Sequence, residues 1–278
     1  MGRIWTHDVP QVLRDAGIEV DLWPGWETRS RSTGGYEKIH AIGAHHTASN
    51  TTRDNDCGYM WDNPYNSARP IGACHLSRTG LVTVGAAGAT NTQGRGGPTV
   101  TSKGTTPLNQ GNLYWYSIEA ANAGTGQLWP RVQQDVYVEM CRVLCDLWDL
   151  DPLTDVLSHF EWTPGRKYDP AGQSRYANGG DLWDMPQFRA DVASAPTPGP
   201  STGDNDMTYV LKHQDTGAFH IANGVTRRYT TQPDTIIGAA VRAGSPLKDG
   251  FTGEDVTDSS QVTGVPGDFI EGFGQDFG

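Results

Sequence analysis

The sequence predicts an α/β body with a mixed central β-sheet flanked by helices, followed by a small β-rich module. Three observations lead to this prediction. Strand-like and helix-like patterns alternate through residues 1–192, as in α/β proteins. Residues 193–206 are small, polar and Pro-rich, so they cannot bury a core and are typical of an extended linker. Residues 207–278 carry short alternating runs separated by turn pairs, which indicates hairpins.

The first half of the body begins with a helix and continues with strands. The helix is predicted from Val9 to Gly17, with Asp8 as its N-cap and Gly17 as its stop signal. Strands are predicted at Ile18–Trp23, at Ile39–Ala44 running into His45-His46, at Ile71–Leu76 and Leu81–Val84 as a hairpin, and at Leu113–Ala120.

The second half of the body is predicted to be mainly helical. Trp129-Pro130 opens the longest helix, which runs to about Leu150, and its apolar residues recur at the spacing of one helical face. A last short helix is predicted over Asp184–Val192, with Pro186 in its first turn.

The C-terminal module is predicted to be a three-stranded meander. Its strands are expected at Tyr209–His213, Ala218–Ala222 and Val225–Thr230. Thr235–Ala243 has the pattern of a short helix. From Asp249 onward Gly and acidic residues dominate, which predicts a flexible tail.

The four cysteines form no CxxC pair, which argues against a zinc ribbon or a thioredoxin-type motif. Cys141 and Cys145 lie one helical turn apart on the buried side of the longest helix, so we interpret them as core thiols. Cys57 and Cys74 lie in loop-rich regions, and the sequence leaves open whether they form a disulfide.

The charge and the hydropathy exclude two classes of function. The net charge is −11 and the basic residues are scattered, whereas nucleic-acid binders normally present a basic stripe. No apolar run approaches the ~20 residues that a membrane span needs. The first residues lack a basic segment followed by an apolar one, so no secretory signal is predicted.

Two histidine settings stand out. His45 and His46 end an apolar strand, where α/β proteins tend to place functional groups. His159 and Asp169 flank a turn-forming Pro-Gly pair, so the loop can return both side chains to one point. Two His and one carboxylate are a typical catalytic zinc set, which leaves the fourth position for water. For any one of these His, an ordinary core or surface position stays an alternative.

The other histidines give weaker signals. Adjacent strand residues point to opposite faces, so His45 and His46 are not expected to bind one metal together. His75 lies in a strand, and a packed core position is favoured over a place in a groove. The remaining histidines have no partner motif and are interpreted as incidental: His7, His40, His213 and His220.

Four motifs occur in order within residues 20–190: Ala44-His45-His46-Thr47-Ala48; Ala73-Cys74-His75-Leu76 with Thr79-Gly80-Leu81-Val82; Ser117-Ile118-Glu119-Ala120-Ala121-Asn122; and Ser158-His159 through Lys167-Tyr168-Asp169-Pro170. In this order they resemble the zinc amidase family shared by phage endolysins, bacterial cell-wall-recycling amidases and animal peptidoglycan recognition proteins. Pro24-Gly25-Trp26 followed by Arg29 resembles endolysins of phages that infect actinobacteria.

The resemblance implies a role for each matching residue. His45, His159 and Asp169 take the positions of the zinc ligands, which favours His45 over His46. Glu119 takes the position of the catalytic acid, and Lys167 that of the group assisting the oxyanion. The implied fold is a mixed sheet packed by helices, with zinc in a groove on one face.

The sequence departs from the family at one motif. Relatives often have Asn-His-Ala-Gly after the hairpin, whereas this chain has Asn91-Thr92-Gln93-Gly94. That His is not among the implied ligands. We therefore expect altered groove chemistry rather than lost catalysis.

The resemblance implies a phage endolysin that cuts the amide between N-acetylmuramic acid and L-alanine in bacterial peptidoglycan, using Zn²⁺. Two alternatives stay open: a non-catalytic peptidoglycan-binding protein, and a zinc peptidase cutting within the stem peptide. Without a signal peptide, such an enzyme would be made in the host cytoplasm and reach the wall after a separate protein opens the membrane. The module at 207–278 is expected to tether it to the wall. The oligomeric state stays open.

Overall fold

The computed structural model describes most of the body and parts of the C-terminal region, namely residues 2–177, 179–195, 209–213, 219–222, 226–230, 247–249, 255–257, 259–265 and 275–276. The chain divides into two compact units. The first comprises Met1–Ser77, Val82–Leu128 and Val136–Ser201, and the second comprises Arg78–Leu81, Trp129–Asp135 and Thr202–Gly278. Most of the linker predicted at 193–206 lies outside the described residues.

A six-stranded mixed sheet forms the centre of the body. Its strands are β1 (Val20–Leu22), β2 (Ala41–His46), β3 (Cys74–Leu76), β4 (Val82–Val84), β7 (Trp115–Ala120) and β8 (Val156–Ser158). They lie side by side in the order β1-β4-β3-β7-β2-β8, and only the β3–β4 pair is antiparallel. A separate two-stranded hairpin joins β5 (Thr99–Thr101) and β6 (Gly104–Thr106).

The helices of the body differ greatly in length. They are α1 (Val9–Asp15), α2 (Arg53–Cys57), α3 (Gly111–Tyr114), α4 (Arg131–Trp148), α5 (Pro152–Asp155), α6 (His159–Trp162) and α7 (Met185–Ser194), and a π-helical turn over Gly58–Asp62 follows α2. In α7 the Asp184 side chain accepts a hydrogen bond from the Gln187 amide, an N-cap arrangement. No helix among the described residues is both long and apolar enough to cross a membrane.

The central strands are buried on both faces, which is why they read as apolar, small-residue runs. All six residues of β7 are buried, as are the first five of β2. At one end of the sheet Trp115 and Trp162 pack with ring centroids 4.9 Å apart, together with Ala41 and Leu157. Fully burying a large apolar side chain contributes roughly 1.5–3 kcal/mol, so these indoles stabilise the start of β7 and its packing against α6.

Tyr137 of α4 links the helix to the end of β2 by hydrogen bonds. Its buried hydroxyl accepts a hydrogen bond from the His45 amide at 2.9 Å and lies 3.1 Å from the His45 carbonyl oxygen. The pairing of β2 with β8 ends at Ala44. The hydroxyl therefore replaces a strand partner that His45 lacks, which fixes the backbone from which the imidazole projects.

The described strands of the second unit form a seven-stranded sheet. Its centre is an antiparallel meander of β9 (Tyr209–His213), β10 (Phe219–Ala222) and β11 (Thr226–Thr230). Four short strands extend it: β12 (Leu247–Asp249), β13 (Asp255–Val256), β14 (Gly264–Val265) and β15 (Gln275–Asp276).

The predicted fold class is confirmed, and the main differences lie at element ends. Helix α1 ends two residues before Gly17, which has the positive φ of +87° typical of a helix stop. The strand predicted from Leu113 begins instead with the helical turn of α3, so β7 starts at Trp115. The predicted meander is confirmed. The helix predicted over Thr235–Ala243 lies outside the described residues.

The prediction for the tail needs correction, and the open question of one cysteine pair is answered. The tail after Asp249 includes short paired strands among its described residues rather than being flexible throughout, because two-residue strands carry no detectable periodicity. Cys57 and Cys74 are both buried and free, which answers the open question of a disulfide. Cys141 and Cys145 are also free and buried, as predicted.

We predict that Tyr137→Phe lowers the free energy of unfolding by about 1–3 kcal/mol, because the buried His45 amide loses its hydrogen-bond acceptor. Urea unfolding measures the change. Tyr65→Phe, at a position 95% exposed, is the matched control and should leave stability unchanged. Equal stability of the Tyr137 variant and the wild type would contradict this account of the strand end.

Candidate metal centre

The register of the sheet aligns polar residues across neighbouring strands. His75 of β3 pairs with Glu119 of β7, and Glu119 pairs with His45 of β2. Paired residues on adjacent strands project on the same face of a sheet. His159 directly follows the last residue of β8, the strand on the other side of β2. The sequence-predicted residues His45, Glu119 and His159 therefore lie along one edge of the sheet.

A capping box sets where His159 lies. The Ser158 side chain accepts a hydrogen bond from the Glu161 amide, and the Glu161 carboxylate accepts one from the Ser158 amide at 2.9 Å. This reciprocal arrangement fixes the start of α6, so that His159 is its first residue. Arg189 of α7 donates to Glu161 at 2.9 Å and holds the box from the outside.

The loop after α6 brings Asp169 back to His159, as the Pro-Gly turn predicted. Gly165 has a φ of +77°, a value that favours glycine, and the Arg166 amide donates to the Thr163 carbonyl at 3.2 Å. The loop closes where the Phe160 amide donates to the Asp169 carbonyl at 3.3 Å. Residues ten apart in sequence thus become neighbours in space.

Three predicted ligands converge on one point. His45 Nδ1 lies 2.8 Å and His159 Nδ1 lies 3.0 Å from the same Asp169 oxygen, Oδ2. The two imidazole nitrogens are 3.1 Å apart. All three residues are buried. Ligand atoms that share a tetrahedral zinc at ~2.0–2.1 Å are roughly 3.3 Å apart, so the spacing matches that of a metal set.

The second ring nitrogen of each histidine, Nε2, lies away from the convergent group. His159 Nε2 donates to the Gln93 carbonyl oxygen at 3.0 Å, which leaves the lone pair of Nδ1 directed toward the other two ligands. His45 Nε2 is buried and has no hydrogen-bond partner among the described residues. Two imidazoles and one carboxylate are a donor set that zinc accepts. The residues present therefore fit the zinc that the sequence implies.

The electrostatics favour the protonation states that metal binding needs. Burial, together with the charge of neighbouring His159, lowers the pKa of His45 to about 4, although contacts with Asp169 act in the opposite direction. Burial alone would raise the pKa of Asp169, but hydrogen bonds from His159 and His45 outweigh it and hold that pKa well below its usual range. A neutral imidazole beside an ionised carboxylate is ready to bind a cation.

Glu119 lies beside this group in a different environment. It is buried, and Gly72, with a φ of +63°, lets it fit, because a Cβ at that position would lie 2.8 Å from Glu119 Cγ. Burial raises the pKa of Glu119 well above its usual range, and the charge of Asp169 adds to the effect while Lys167 opposes it. A carboxyl with a raised pKa at a cavity wall suits proton transfer.

A cavity of about 720 Å³ opens next to these groups. Glu119, His159, Lys167 and Asp169 line one part of it. The rest of the wall is formed by loop and helix residues, including Thr51, Asn55, Asp56, Tyr59, Met60, Ile71 and Thr92. The cavity thus has one polar side, where the titratable groups meet, and one mixed side. This is the usual form of a small-molecule or peptide site.

The remaining histidines lie outside the convergent group. His46 borders the cavity, but its Nδ1 accepts a hydrogen bond from the Ala171 amide at 3.0 Å. His75 is fully buried, as favoured, and its Nε2 lies 3.4 Å from Asp56 Oδ2. His7 and His40 lie away from the group. The side chains of His213 and His220 lie outside the described residues.

Sequence reasoning missed three residues that support the site. Asp56, which lines the cavity, had no motif around it. Gln93 was noted only as a departure from the family, although its carbonyl holds His159. Tyr137 looked like one more residue of a long amphipathic helix. The only available signal was polarity at positions that the pattern would bury, and polarity alone does not reveal a partner.

We predict that the metal-free protein loses stability as the pH falls from about 6.5 toward 4. An unfolded His takes up a proton near pH ~6.5, whereas folded His45 resists protonation down to a pKa of about 4. The stability that depends on neutral His45 is therefore fully present above pH ~6.5. It is lost as the pH falls from ~6.5 to about 4, by up to ~1.4 kcal/mol per pH unit. Urea unfolding in the presence of a chelator measures the slope. His45→Gln should flatten it, and an unchanged slope would contradict the assignment.

Residues 35–172 match the sequence family described as N-acetylmuramoyl-L-alanine amidase. Among solved structures, a selenomethionine derivative of AmpD is 16% identical, with 61% of this chain and 96% of that chain covered and a TM-score of 0.42. The endolysin N-acetylmuramoyl-L-alanine amidase LysCS from Clostridium intestinale URNW is 12% identical, covering 63% and 95%, with a TM-score of 0.41. The PlyG catalytic domain is 15% identical, covering 64% and 98%, with a TM-score of 0.41. No curated protein matched.

The matched segment contains the complete convergent group and both of its polar neighbours. His45, Glu119, His159, Lys167 and Asp169 all lie between residues 35 and 172. The family match and the geometry thus concern the same part of the chain. Residues 35–172 of this chain are thus similar to the N-acetylmuramoyl-L-alanine amidase family.

Proposed function

We propose that this chain is a zinc-dependent phage endolysin that hydrolyses the amide between N-acetylmuramic acid and L-alanine of peptidoglycan. The family match over residues 35–172 supports amidase activity on peptidoglycan. The observation that carries the zinc-dependent mechanism is the convergence of His45 Nδ1, His159 Nδ1 and Asp169 Oδ2 within 2.8–3.1 Å beside a cavity. Burying three such groups together is costly unless a cation or protons compensate them.

His45, His159 and Asp169 would hold the metal. A zinc ion bound there supplies Lewis-acid chemistry, since it lowers the pKa of water to ~7 and polarises a carbonyl. The protein contributes the fixed geometry: Tyr137 holds the His45 backbone, and the Gln93 carbonyl holds the His159 ring. Because these supports are buried, the ligand set needs little rearrangement to act.

Glu119 is proposed as the general base and acid. Only charge–charge interactions with Asp169, Lys167 and Asp56 act on its carboxylate among the described residues, so it is free to exchange a proton. As a base, Glu119 takes a proton from the attacking water; as an acid, it gives that proton to the departing amine. A positioned group of this kind typically contributes 10²–10⁴-fold to the rate.

Lys167 is proposed to stabilise charge on the scissile carbonyl oxygen. It lines the cavity with Asp169 and His159, and its charge acts on both Glu119 and His45. A fixed cation near an oxygen that becomes negative lowers the barrier by a few kcal/mol in such sites.

The phage origin, the actinobacterial host and the route to the wall are proposed from the sequence motifs alone. Pro24-Gly25-Trp26 with Arg29 is the feature that supports the host assignment. In the fold, Arg29 donates to the Pro24 carbonyl at 2.8 Å, within the motif, and to Asp62 at 2.9 Å, outside it. Synthesis in the host cytoplasm, with release after another protein opens the membrane, completes the proposal.

The domain limits are part of the proposal: a catalytic domain over 1–192, a linker over 193–206 and a wall-binding module over 207–278. A tethered module raises the local concentration of the enzyme at an insoluble substrate. The described strands of this region form a β-sheet of its own, which suits a separate binding module.

We predict that metal binding and proton transfer separate in two variants. Asp169→Asn should lose both zinc and wall lysis, because it removes an anionic ligand. Glu119→Gln should keep zinc and the fold but lose about 10²–10⁴-fold in rate. Metal analysis and turbidity loss of purified walls measure the two effects. His7→Ala, away from the group, is the control.

Full lysis by the chelated wild type would refute the zinc mechanism. Product analysis separates the alternatives. A non-catalytic binding protein releases no new amino termini from walls. A zinc peptidase releases fragments that mass spectrometry shows to be cut within the stem peptide, whereas an amidase frees intact stem peptides that begin with L-alanine.

We predict that residues 207–278, produced alone, co-sediment with purified cell walls. Circular dichroism should first establish that the fragment retains β structure. A folded fragment that stays in the supernatant would oppose the tether, and a role in solubility or assembly would then be favoured.

A further inference from the structure

Gln93 lies next to both histidines of the candidate metal centre: its main chain contacts His159, and its side chain lies beside His45. Its carbonyl oxygen accepts the His159 Nε2–H at 3.0 Å. Its amide side chain is fully buried and donates to Ser117 Oγ at 2.8 Å. Ser117 pairs with Gly43, two residues before His45 on the same face of β2. The Gln93 amide therefore lies directly beneath the row of His45 and Glu119.

Gly43 makes room for the amide and the imidazole together. A Cβ at Gly43 would lie 2.4 Å from Gln93 Nε2 and 2.9 Å from His45 Nε2. Both groups therefore share the space above this one glycine. A β-branched residue, which a buried strand would otherwise favour, has no room here.

Each of the two groups that share this space has one buried atom without a hydrogen-bond partner among the described residues. These atoms are His45 Nε2 and Gln93 Oε1. When Nδ1 of a neutral imidazole binds a metal, its proton sits on Nε2, which becomes a donor that needs an acceptor. The side-chain oxygen of Gln93, Oε1, is an acceptor that lacks a donor among the described residues. Rotation of the side-chain amide by half a turn exchanges the positions of Nε2 and Oε1. Oε1 then faces His45 Nε2, and the Ser117 hydroxyl donates to Oε1 rather than accepting from Nε2.

The backbone of Gln93 is itself held firmly. Asn112 Oδ1 accepts hydrogen bonds from the Gln93 amide at 2.7 Å and the Gly94 amide at 3.3 Å. Gly94 has a φ of +61°, a conformation that favours glycine. The turn at Gln93-Gly94 thus fixes the main-chain carbonyl of Gln93, which orients His159. The buried Gln93 side chain projects from the same turn.

We propose that Gln93 is the positioning residue for both histidine ligands, holding His159 with its main-chain carbonyl and His45 with its side-chain amide. This inference rests on the proposed zinc site. It assigns a role to the segment Asn91–Gly94, where the sequence departs from its relatives. The amide acts through the ligands and touches neither substrate nor metal.

The test is zinc affinity, measured by competition with a chromogenic chelator. Gln93→Leu removes the amide but keeps the carbonyl, and it should weaken zinc binding about 10–100-fold, the usual cost of losing an outer partner of a metal ligand. The visible absorption of the Co²⁺-substituted protein should change as the His45 ring reorients. Gln93→Glu, which keeps an acceptor at the same position, should restore both. Gln11→Leu, at an exposed position, is the control substitution.

The outcomes distinguish this inference from the proposed function. Wild-type zinc affinity and an unchanged Co²⁺ spectrum in Gln93→Leu would overturn the inference alone. A wild-type protein that binds no zinc would overturn the proposed function. If thermal unfolding shows that Gln93→Leu does not fold, Ser117→Ala replaces it, because Ser117 is the hydrogen-bond partner of the amide. Weaker zinc binding in that variant would support the inference, and unchanged binding would oppose it.

Discussion

The parallel pairing of β2 with β7 is the constraint from which the rest of the site follows. It places His45 opposite Glu119, and a slip of one residue would turn every side chain of β2 to the other face of the sheet. Both faces of β2 are buried, so its apolar pattern alone does not set this register. Tyr137 then fixes the last residue pair where β8 no longer provides a partner. The His45–His159–Asp169 group, the proposed general base Glu119 and the cavity wall all depend on that alignment.

The site concentrates polar groups where a protein core usually has none. His45, His159, Asp169 and Glu119 are all buried, and each desolvated group costs free energy unless it is compensated. The hydrogen bonds among the histidines and Asp169 compensate part of this cost. The proposed cation, bound at the two Nδ1 atoms and Asp169 Oδ2, would compensate more.

Small residues are as necessary to the site as the titratable ones. Gly43 admits the Gln93 amide beside His45, and Gly72 admits the Glu119 side chain. Each has no side chain because another group occupies that space. The departure at Asn91–Gly94 is thus linked to a glycine in a distant strand. Sequence comparison of either segment alone would not connect them.

The sequence by itself determined the fold class, the strand that ends in His45, the loop that returns Asp169 to His159, and the residue types of a metal centre. These follow from local rules: periodicity, turn chemistry and the spacing of a short loop. Only the tertiary structure decided that His45, His159 and Asp169 share one point, that Glu119 lies beside them, and that Asp56, Gln93 and Tyr137 support them. The contacts of His45 with Asp169, of His45 with Tyr137 and of His159 with Gln93 join residues 66–124 positions apart along the chain. They depend on strand order and register, which no local pattern encodes.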